Sequence, residues 1–432
     1  MIRILLIRHG RTAWNVGEGS GQRFRGTIDL SLAGEGVAQA RTTARRLAAL
    51  PLHGIVSSPL RRAARTAQIL AEPHGLVVQT LPGLGSMNYG EWAGRTRAEV
   101  ASRWPDIFRQ WRHDPFTVQI PGGESTLALR QRASAAIREI LACHRDGQTI
   151  AVISHQIVVK SLVCDLAGLP GPAHWRIRQD LCNITRFDYD PASSRFRLAG
   201  LNDTCHLDSA LPRAADDGVR LVLVRHGQTA WNVGAGEERF RGRTDLPLDD
   251  TGQAQADAVA DRLKQEPVAA IYASPLLRTR QTAAPLAERL GLPVQTHDGL
   301  LDINYGRFQG MTRSEAAEAY PSLLALWLNA PSQVRFPGGE SLSDVQGRLL
   351  SFLDELTTRH SGQTVVLVGH QIVNKVLVSS LLDPSSLPEY TGSLDRLWHI
   401  DQDTASVNVF QQVEGGWRAL CLNDLCHLAF QA

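Results

Sequence analysis

The sequence lacks long hydrophobic runs, clustered basic residues and paired cysteines. None of its apolar runs reaches the roughly 18 residues that a transmembrane helix needs, and the apolar N-terminus is too short for a signal peptide. The net charge is only +2, without the basic patches of nucleic-acid-binding proteins. Six scattered cysteines without CxxC pairs indicate neither a zinc site nor a disulfide framework. We therefore expect a cytoplasmic protein without a membrane or nucleic-acid partner.

The sequence does contain a long internal repeat. The segment LIRHGRTAWN at Leu6–Asn15 returns as LVRHGQTAWN at Leu223–Asn232. Four further pairs recur in the same order: Ser58–Arg62 with Ser274–Arg278, Pro121–Ser125 with Pro337–Ser341, Ser154–Val158 with Gly369–Val373, and Leu201–Leu207 with Leu422–Leu428. Repetition by itself shows common origin rather than function. We predict two copies of one domain, residues 1–207 and 219–432, joined by a short polar linker at 208–218.

Within each copy, short apolar runs alternate with helical patterns. Ile2–Ile7 and Ile150–Ile153 are predicted to be buried strands of the first copy, and Val219–Val224 and Val365–Val368 those of the second. Apolar residues recur at helical spacing between the first two runs, over residues 133–141. This alternation favours a mostly parallel sheet covered by helices on both sides. The predicted fold is therefore α/β, with two tandem three-layer α/β/α sandwiches.

Two histidines and two arginines in each copy follow predicted strands. They are Arg8, His9, Arg62 and His155 in the first copy, and Arg225, His226, Arg278 and His370 in the second. Ligands bind at the carboxyl ends of parallel strands, so these side chains are expected to converge there. A guanidinium offers a fork of donors that matches phosphate oxygens and keeps its charge. The pattern therefore indicates a phosphoryl-binding site.

Two other roles are possible for histidines in these positions. A lone histidine at a strand end is more often a structural hydrogen-bonding residue than a catalyst. Histidine is also the commonest transition-metal ligand, but two arginines per copy would repel a divalent cation. We therefore expect no metal in either copy.

Taken together, the repeated segments resemble the histidine phosphatase superfamily, in the branch of the cofactor-dependent phosphoglycerate mutases and their phosphatase relatives. The motifs that carry the resemblance are RHGxTxWN, SPLxR, a Tyr-Gly motif with a following aromatic residue, PGGES, and a late strand ending in histidine. They span nearly the whole chain as two complete domains. The resemblance implies a small phosphorylated metabolite as substrate and no metal or organic cofactor.

The resemblance also implies roles for individual residues. His226 would attack phosphorus and become phosphorylated, with His9 as its counterpart. The phosphoryl oxygens would be held by Arg225, Arg278 and His370 in the second copy and by Arg8, Arg62 and His155 in the first. Asn232 and Asn15 fit the phosphate-contacting asparagine of the family, and Thr229 and Thr12 fit its hydroxyl position.

The family further requires a carboxylic acid that protonates the leaving alcohol, four residues before the glycine of the Tyr-Gly motif. Asp302 occupies this position in the second copy, whereas the first copy has Ser86. Losing a positioned acid costs about 10²–10⁴ in rate. The first domain is therefore expected to be slow or inactive on ordinary monoesters, unless Glu91 or Glu18 supplies the missing carboxyl group.

The leading functional prediction is a phosphatase of small phosphate monoesters, with the second domain the stronger catalyst. One alternative is a phosphoglycerate mutase, although mutases of the family carry a longer insert after the Tyr-Gly motif. Another is a phospho-ligand binding protein with one or both domains silent. Residues 86–120 and 302–336 are predicted to govern specificity. Their aromatic residues, Trp104, Phe108, Trp111 and Trp327, are expected to serve packing more than substrate stacking.

Overall fold

The structure is a computed structural model that describes residues 1–15, 23–214, 216–232, 239–383 and 391–428. The chain divides into two compact units, Met1–Leu211 and Pro212–Ala432. Among the described helices, none combines the length and the apolar run needed to cross a bilayer.

The first unit is a six-stranded sheet with its helices. Its strands are β1 (Ile2–Arg8), β2 (Gly54–Ser57), β3 (Val78–Thr80), β4 (Thr149–Ser154), β5 (Ile184–Asp190) and β6 (Arg195–Asp203). Its helices are α1 (Gly34–Leu47), α2 (Arg61–Ala71), α3 (Arg97–Arg103), α4 (Pro105–His113), α5 (Thr126–Ala142), α6 (Gln156–Leu166) and α7 (Ala173–Arg176). The strand order is β3-β2-β4-β1-β5-β6. The first four strands run parallel, and β5 and β6 are antiparallel additions.

The second unit repeats this arrangement. Its strands are β7 (Arg220–Arg225), β8 (Val268–Ala273), β9 (Val294–Thr296), β10 (Thr364–Gly369), β11 (Val407–Val413) and β12 (Gly416–Asp424). Its helices are α8 (Asp250–Leu263), α9 (Leu277–Leu290), α10 (Arg313–Ala319), α11 (Pro321–Asn329), α12 (Leu342–Arg359) and α13 (Gln371–Leu382). The order is β9-β8-β10-β7-β11-β12, again with four parallel strands followed by an antiparallel pair.

The central strands explain why each sheet needs helices on both faces. Leu5 and Ile7 of β1 pack into a core with residues of α1 and α2. Because side chains alternate along a strand, Ile4 and Leu6 point to the other face, and both are also completely buried. Helices α5 and α6 pack together, and α6 contacts β1. The predicted α/β sandwich with a mostly parallel sheet is confirmed.

The antiparallel pair at the end of each sheet was not predicted from the sequence. Strand β5 reads ITRFDYD, and β11 reads VNVFQQV, so polar and apolar residues mix along both strands. Such mixed strands lack the continuous apolar run that marks the parallel strands β4 and β10, in which every residue is buried.

The aromatic side chains of the segment 86–120 form a packed cluster, in line with the predicted packing role. Trp111 of α4 is buried, and its ring meets the Trp92 ring edge-on with centroids 5.5 Å apart. The same Trp92 ring lies 6.0 Å from Phe108 and 6.5 Å from Trp104. In the second unit, Trp327 is buried against other aromatic rings in the same way.

The cysteines depart from the expectation in one respect. Cys143, Cys164 and Cys182 of the first unit are free thiols, but Cys205 is disulfide-bonded. No local cysteine spacing such as CxxC surrounds this residue in the sequence, so the bond could not be predicted from a motif.

The first strand of each unit is followed closely by a glycine, and a close approach between two backbone segments requires this residue type there. A Cβ atom on Gly227 would lie 2.5 Å from the carbonyl oxygen of Gly252, which belongs to the first turn of α8. Gly10 and Gly36 of the first unit show the same 2.5 Å approach. The absence of a side chain therefore lets the turn that carries His226 pack directly against a helix.

We expect Gly227→Ala to lower the melting temperature, because the added methyl group forces backbone segments apart at a cost of about 1–3 kcal/mol. Gly347→Ala is the matched control, since Gly347 is an exposed position inside α12 with open space around a Cβ atom. That control should gain about 0.5–1 kcal/mol from helix propensity. Thermal or urea unfolding measures both, and equal stability of the two variants would contradict the close-approach argument.

Candidate active site

In the second unit, parallel strands bring the predicted residues to one edge of the sheet. Arg225 is the last residue of β7 and His226 follows it, while His370 follows β10. Arg278 lies in the first turn of α9, which follows β8. The imidazole rings of His226 and His370 lie with their centroids 5.4 Å apart. The structure thus brings these four sequence-predicted residues into one buried cluster.

The imidazole of His226 is held in one orientation by its own turn. Its Nδ1 atom lies 2.6 Å from the carbonyl oxygen of Gly227, so Nδ1 must donate the hydrogen bond. This tautomer leaves the lone pair on Nε2. Burial, followed by the charges of Arg278 and Arg225, holds the pKa of His226 well below its usual value. The ring is therefore neutral at neutral pH, as a nitrogen nucleophile must be.

The two arginines are held by main-chain carbonyl groups. Arg225 Nη1 donates to the carbonyl oxygen of Gln402 at 2.6 Å. Arg278 donates from Nη1 to Thr244 and from Nη2 to Gly242, both at 2.8 Å. The Nε atom of Arg278 is buried without a hydrogen-bond partner in the described part of the chain. A buried charged donor without a partner is costly, so this atom is suited to an incoming anion.

Asp302 joins the cluster as its carboxyl group. Its Oδ2 lies 3.2 Å from Arg278 Nη2 and 3.7 Å from His370 Nδ1, and its Oδ1 accepts from the main-chain N–H of Ile303 at 2.9 Å. Burial raises the pKa of Asp302, and the charges of Arg278 and Arg241 oppose that shift without cancelling it. A buried carboxyl group with a raised pKa beside Arg278 and His370 has the property required of a general acid.

His370 is the most isolated polar side chain of the cluster. Neither of its ring nitrogens has a hydrogen-bond partner among residues that the structure describes, although the side chain is fully buried. Burial, followed by the charges of Arg278 and of His226, holds the pKa of His370 well below its usual value. The neutral ring carries one N–H, which is available to an oxygen of a bound ligand.

Asn232 and Thr229 contact each other at the edge of the cluster. The carbonyl oxygen of the Asn232 side chain accepts from the main-chain N–H and from the hydroxyl group of Thr229, both at 2.9 Å. The amide nitrogen of Asn232 then remains as a donor. In the first unit, Thr12 and Asn15 repeat the pair at 2.9 and 2.8 Å.

The first unit repeats the rest of the cluster. The rings of His9 and His155 have centroids 5.2 Å apart, and His9 Nδ1 lies 2.7 Å from the carbonyl oxygen of Gly10. Arg8 donates to Gln179, and Arg62 donates to Ile28 and Gly26, over 2.7–2.8 Å. Burial, then the charges of Arg8 and Arg62, keeps the pKa of His9 well below its usual value.

The first unit differs where Ser86 replaces the carboxyl group. The Nδ1 atom of His155 has no hydrogen-bond partner in the described part of the chain, and its Nε2 lies 2.8 Å from the hydroxyl oxygen of Ser58. Glu91 is half-exposed and pairs with Arg103 of α3, with 3.7 Å between Oε2 and Nη2. The Glu91 carboxylate thus lies at the surface. Glu18, the other carboxylate that could replace the acid, lies outside the described residues.

Two sets of arginines near the site were not identified from the sequence. Arg348 donates to the carbonyl oxygens of Gly299 and Asp302 and pairs with Glu340, so it holds the segment that carries Asp302. Arg132 does the same for the Ser86 segment of the first unit.

The second missed set is Arg25 and Arg241. The sequence RFRG at Arg23–Gly26 returns unchanged at Arg239–Gly242, so the repeat itself was the signal. Among the residues described, no group of three or more His, Cys, Asp or Glu side chains is arranged to hold a metal ion.

The fold and the paired histidine–arginine clusters define a class of enzyme that handles phosphoryl groups, and comparison with known proteins identifies the family. The pattern of the histidine phosphatase superfamily (branch 1) matches residues 4–204 and again 221–425. The chain belongs to this superfamily, and its activity is that of a histidine phosphatase. The family and enzyme class expected from the sequence are confirmed.

Individual relatives each match about half of the chain. Phosphoserine phosphatase 1 of Hydrogenobacter thermophilus is 37% identical over 211 residues, which cover 49% of this chain and 94% of the relative. A probable phosphoglycerate mutase of Yersinia pestis is 32% identical over 215 residues, covering 48% and 96% respectively. The native structure of a mycobacterial glucosyl-3-phosphoglycerate phosphatase is 30% identical, with a TM-score of 0.43, and covers 47% of this chain and 99% of its own.

We expect the protein to bind two equivalents of inorganic phosphate, one in each cluster, because both contain a buried arginine Nε without a partner within the described ranges. Isothermal titration calorimetry measures the stoichiometry. Arg278→Gln and Arg62→Gln should each remove one equivalent. The matched controls are Arg280→Gln and Arg65→Gln, which change exposed arginines in the same two helices. Retention of both equivalents in Arg278→Gln would contradict the assignment.

Proposed function

We propose that the protein hydrolyses small phosphate monoesters in two steps on His226. In the first step the Nε2 lone pair attacks phosphorus, so that a P–N bond forms as the ester P–O bond breaks. The proton of the Asp302 carboxyl group moves to the departing alcohol oxygen. Arg225, Arg278, His370 and Asn232 hold the phosphoryl oxygens and stabilise their charge during transfer.

In the second step the Asp302 carboxylate takes a proton from water, whose oxygen attacks phosphorus. The P–N bond breaks, inorganic phosphate forms, and both His226 and Asp302 return to their starting states. The observation that carries this proposal is the triangle of Arg278, Asp302 and His370, with 3.2 Å and 3.7 Å from Asp302 Oδ2 to the other two. One carboxyl group with a raised pKa thereby lies beside both phosphoryl-binding side chains.

The first unit has the same nucleophile and the same cationic cluster but no acid at Ser86. We propose that it binds phosphate esters and turns over only those with good leaving groups. Such leaving groups depart as stable anions, so protonation contributes little. His9 is then the nucleophile, with Arg8, Arg62, His155 and Asn15 around the phosphoryl group, while Thr12 and Thr229 position their asparagines.

The names of the relatives suggest more than one candidate substrate. One is named for phosphoserine and another for phosphoglycerate, and both compounds are small phosphate monoesters. Phosphoglycerate mutase activity remains the second candidate function, because one relative is named a probable phosphoglycerate mutase. The segment after Tyr305 passes directly into α10 and α11, which favours the phosphatase. Acceleration of turnover by added bisphosphoglycerate primer would favour the mutase instead.

We expect His226→Ala to abolish most hydrolysis of an alkyl phosphate such as glycerol 3-phosphate, whereas His9→Ala should retain most of it. With an aryl phosphate as substrate, each variant should lose a measurable part of the wild-type hydrolysis rate. The assay contains EDTA throughout, and phosphate release is measured. A rate unaffected by either substitution would overturn the phosphohistidine mechanism. If EDTA alone stopped the reaction, the metal-free proposal would be wrong.

We expect Asp302→Ser, which reproduces the first unit in the second, to lower the rate with an alkyl phosphate by about 10²–10⁴ and that with an aryl phosphate much less. Since only the protonated carboxyl group donates, the wild-type rate should fall as pH rises through the elevated pKa of Asp302. That alkaline decline should disappear in the variant.

The converse experiment is Ser86→Asp in a His226→Ala background. It should restore hydrolysis of alkyl phosphates by the first unit. Equal losses for both leaving groups in Asp302→Ser, or no gain in Ser86→Asp, would show that the acid lies elsewhere.

A further inference from the structure

The segment that carries the acid position of each unit is held by the glutamate of the PGGES motif. In the second unit, Glu340 Oε2 accepts from the main-chain N–H of Asn304 at 2.8 Å, and the Glu340 N–H donates to the carbonyl oxygen of Asn304 at 2.8 Å. Asn304 lies two residues after Asp302. Glu124 forms the same two hydrogen bonds with Asn88 of the first unit, both at 2.9 Å. This glutamate therefore fixes the main chain that follows the acid position.

An arginine on the following helix pairs with this glutamate, and the pair is tighter in the first unit. Arg132 donates from Nη2 and Nε to the two carboxylate oxygens of Glu124 at 2.7 and 3.0 Å. The corresponding distances from Arg348 to Glu340 are 3.4 and 3.2 Å. In the second unit the carboxylate is shared with a second guanidinium, because Arg243 Nη2 lies 3.0 Å from Glu340 Oε1. The acid segment of the second unit is thus held through two arginines.

Arg243 is specific to the second unit. It follows the repeated sequence RFRG at Arg239–Gly242, whereas Thr27 follows the first copy of that sequence. The main-chain N–H of Arg243 donates to Gln309 Oε1 at 2.9 Å, and the position of Gln309 is occupied by Ala93 in the first unit. The arginine and the side chain that fixes its main chain therefore occur together, in the unit that has a carboxyl group at the acid position.

The Arg243 guanidinium also reaches the residue that carries the acid. Its Nε atom lies 3.5 Å from the carbonyl oxygen of Asp302, and Arg348 Nη2 lies 3.4 Å from the same oxygen. Both guanidinium groups also contact Glu340. The carboxyl group of Asp302 extends from this main chain to Arg278, with 3.2 Å between Oδ2 and Nη2. Arg243 therefore supports the backbone from which the acid extends into the cluster.

Such support bears on proton transfer more than on folding. A general acid works only within hydrogen-bond distance of the departing oxygen, and a misplacement of about 1 Å can cost about 10²-fold in rate. Arg243 itself is partly exposed, and ion pairs of exposed side chains contribute little to stability. Loss of this side chain is therefore expected to affect the position of the acid without unfolding the unit.

We propose that Arg243 is a positioning residue for the general acid of the second unit, acting through Glu340 and through the main-chain carbonyl group of Asp302. This role rests on the phosphatase function proposed above and deepens it. A serine at the acid position, such as Ser86, donates no proton near neutral pH and has no need of this support. The threonine at position 27 of the first unit agrees with that difference.

The test is Arg243→Thr, which introduces the residue of the first unit. We expect kcat for an alkyl phosphate such as glycerol 3-phosphate to fall by about 10- to 100-fold. KM and the rate with an aryl phosphate should change little, because only the alkyl leaving group needs the acid. Arg243→Lys should recover part of kcat, since the charge returns without the fork of donors. The melting temperature should stay close to that of the wild type.

Arg239→Thr is the matched control, because Arg239 lies in the same segment and instead contacts Gly310 and Glu315. It should leave kcat with both substrates at the wild-type value. A converse test uses the first unit in a His226→Ala background. There, Ser86→Asp combined with Thr27→Arg should hydrolyse the alkyl phosphate faster than Ser86→Asp alone, and equal rates would contradict the role of the arginine.

Three results with Arg243→Thr would overturn the positioning role. They are an unchanged kcat for the alkyl phosphate, an equal loss with both leaving groups, and a rise in KM at unchanged kcat, which would make Arg243 a substrate-binding residue. Failure of the proposed function is recognised separately with Asp302→Ser. If that variant does not distinguish the two leaving groups, the acid assignment itself is wrong. If it does and Arg243→Thr does not, only the role of Arg243 is rejected.

Discussion

A buried guanidinium in the first turn of a helix sets the constraint on which each unit depends. Arg62 and Arg278 are almost completely buried, and a buried cation is tolerated only when its donors are satisfied or a counter-charge is close. Each unit provides two main-chain carbonyl oxygens from one neighbouring loop for this purpose. The backbone conformation of the loop that provides these carbonyl oxygens is therefore constrained by the buried arginine.

Burial, and after it the same positive environment, lowers the pKa of the histidines. Imidazoles surrounded by buried arginines resist protonation, since each added charge would face others in a low-dielectric setting. His9 and His226 are thereby kept as neutral bases over the pH range in which exposed histidines titrate. One arrangement of charges therefore suits both a bound anion and a neutral imidazole. The phosphatase activity of the family is consistent with that arrangement.

Duplication has left the two units with the same framework but different chemistry at one position. The Asp302 carboxyl group hydrogen-bonds to Arg278 and lies 3.7 Å from His370 Nδ1 in the second unit. In the first unit that carboxyl group is missing, and the other ring nitrogen of His155, Nε2, forms a hydrogen bond with Ser58. The arginines that support the two loops, Arg348 and Arg132, are retained in both units. Divergence has therefore removed the carboxyl group from the first unit while the arginine that supports the segment is preserved.

The sequence by itself determined the duplication, the buried parallel strands, and the residues that follow them, since a continuous apolar run and an RHG turn are local signals. It also located the Asp302–Ser86 difference through the Tyr-Gly motif. The antiparallel strands β5, β6, β11 and β12 were not predicted from the sequence, because polar and apolar residues mix along them. Only the tertiary structure decided that Arg25, Arg241 and Arg348 lie at the site and that the Glu91 carboxylate lies at the surface. Those outcomes depend on which loops pack together, and residues far apart in a chain give no periodic pattern that would reveal such contacts.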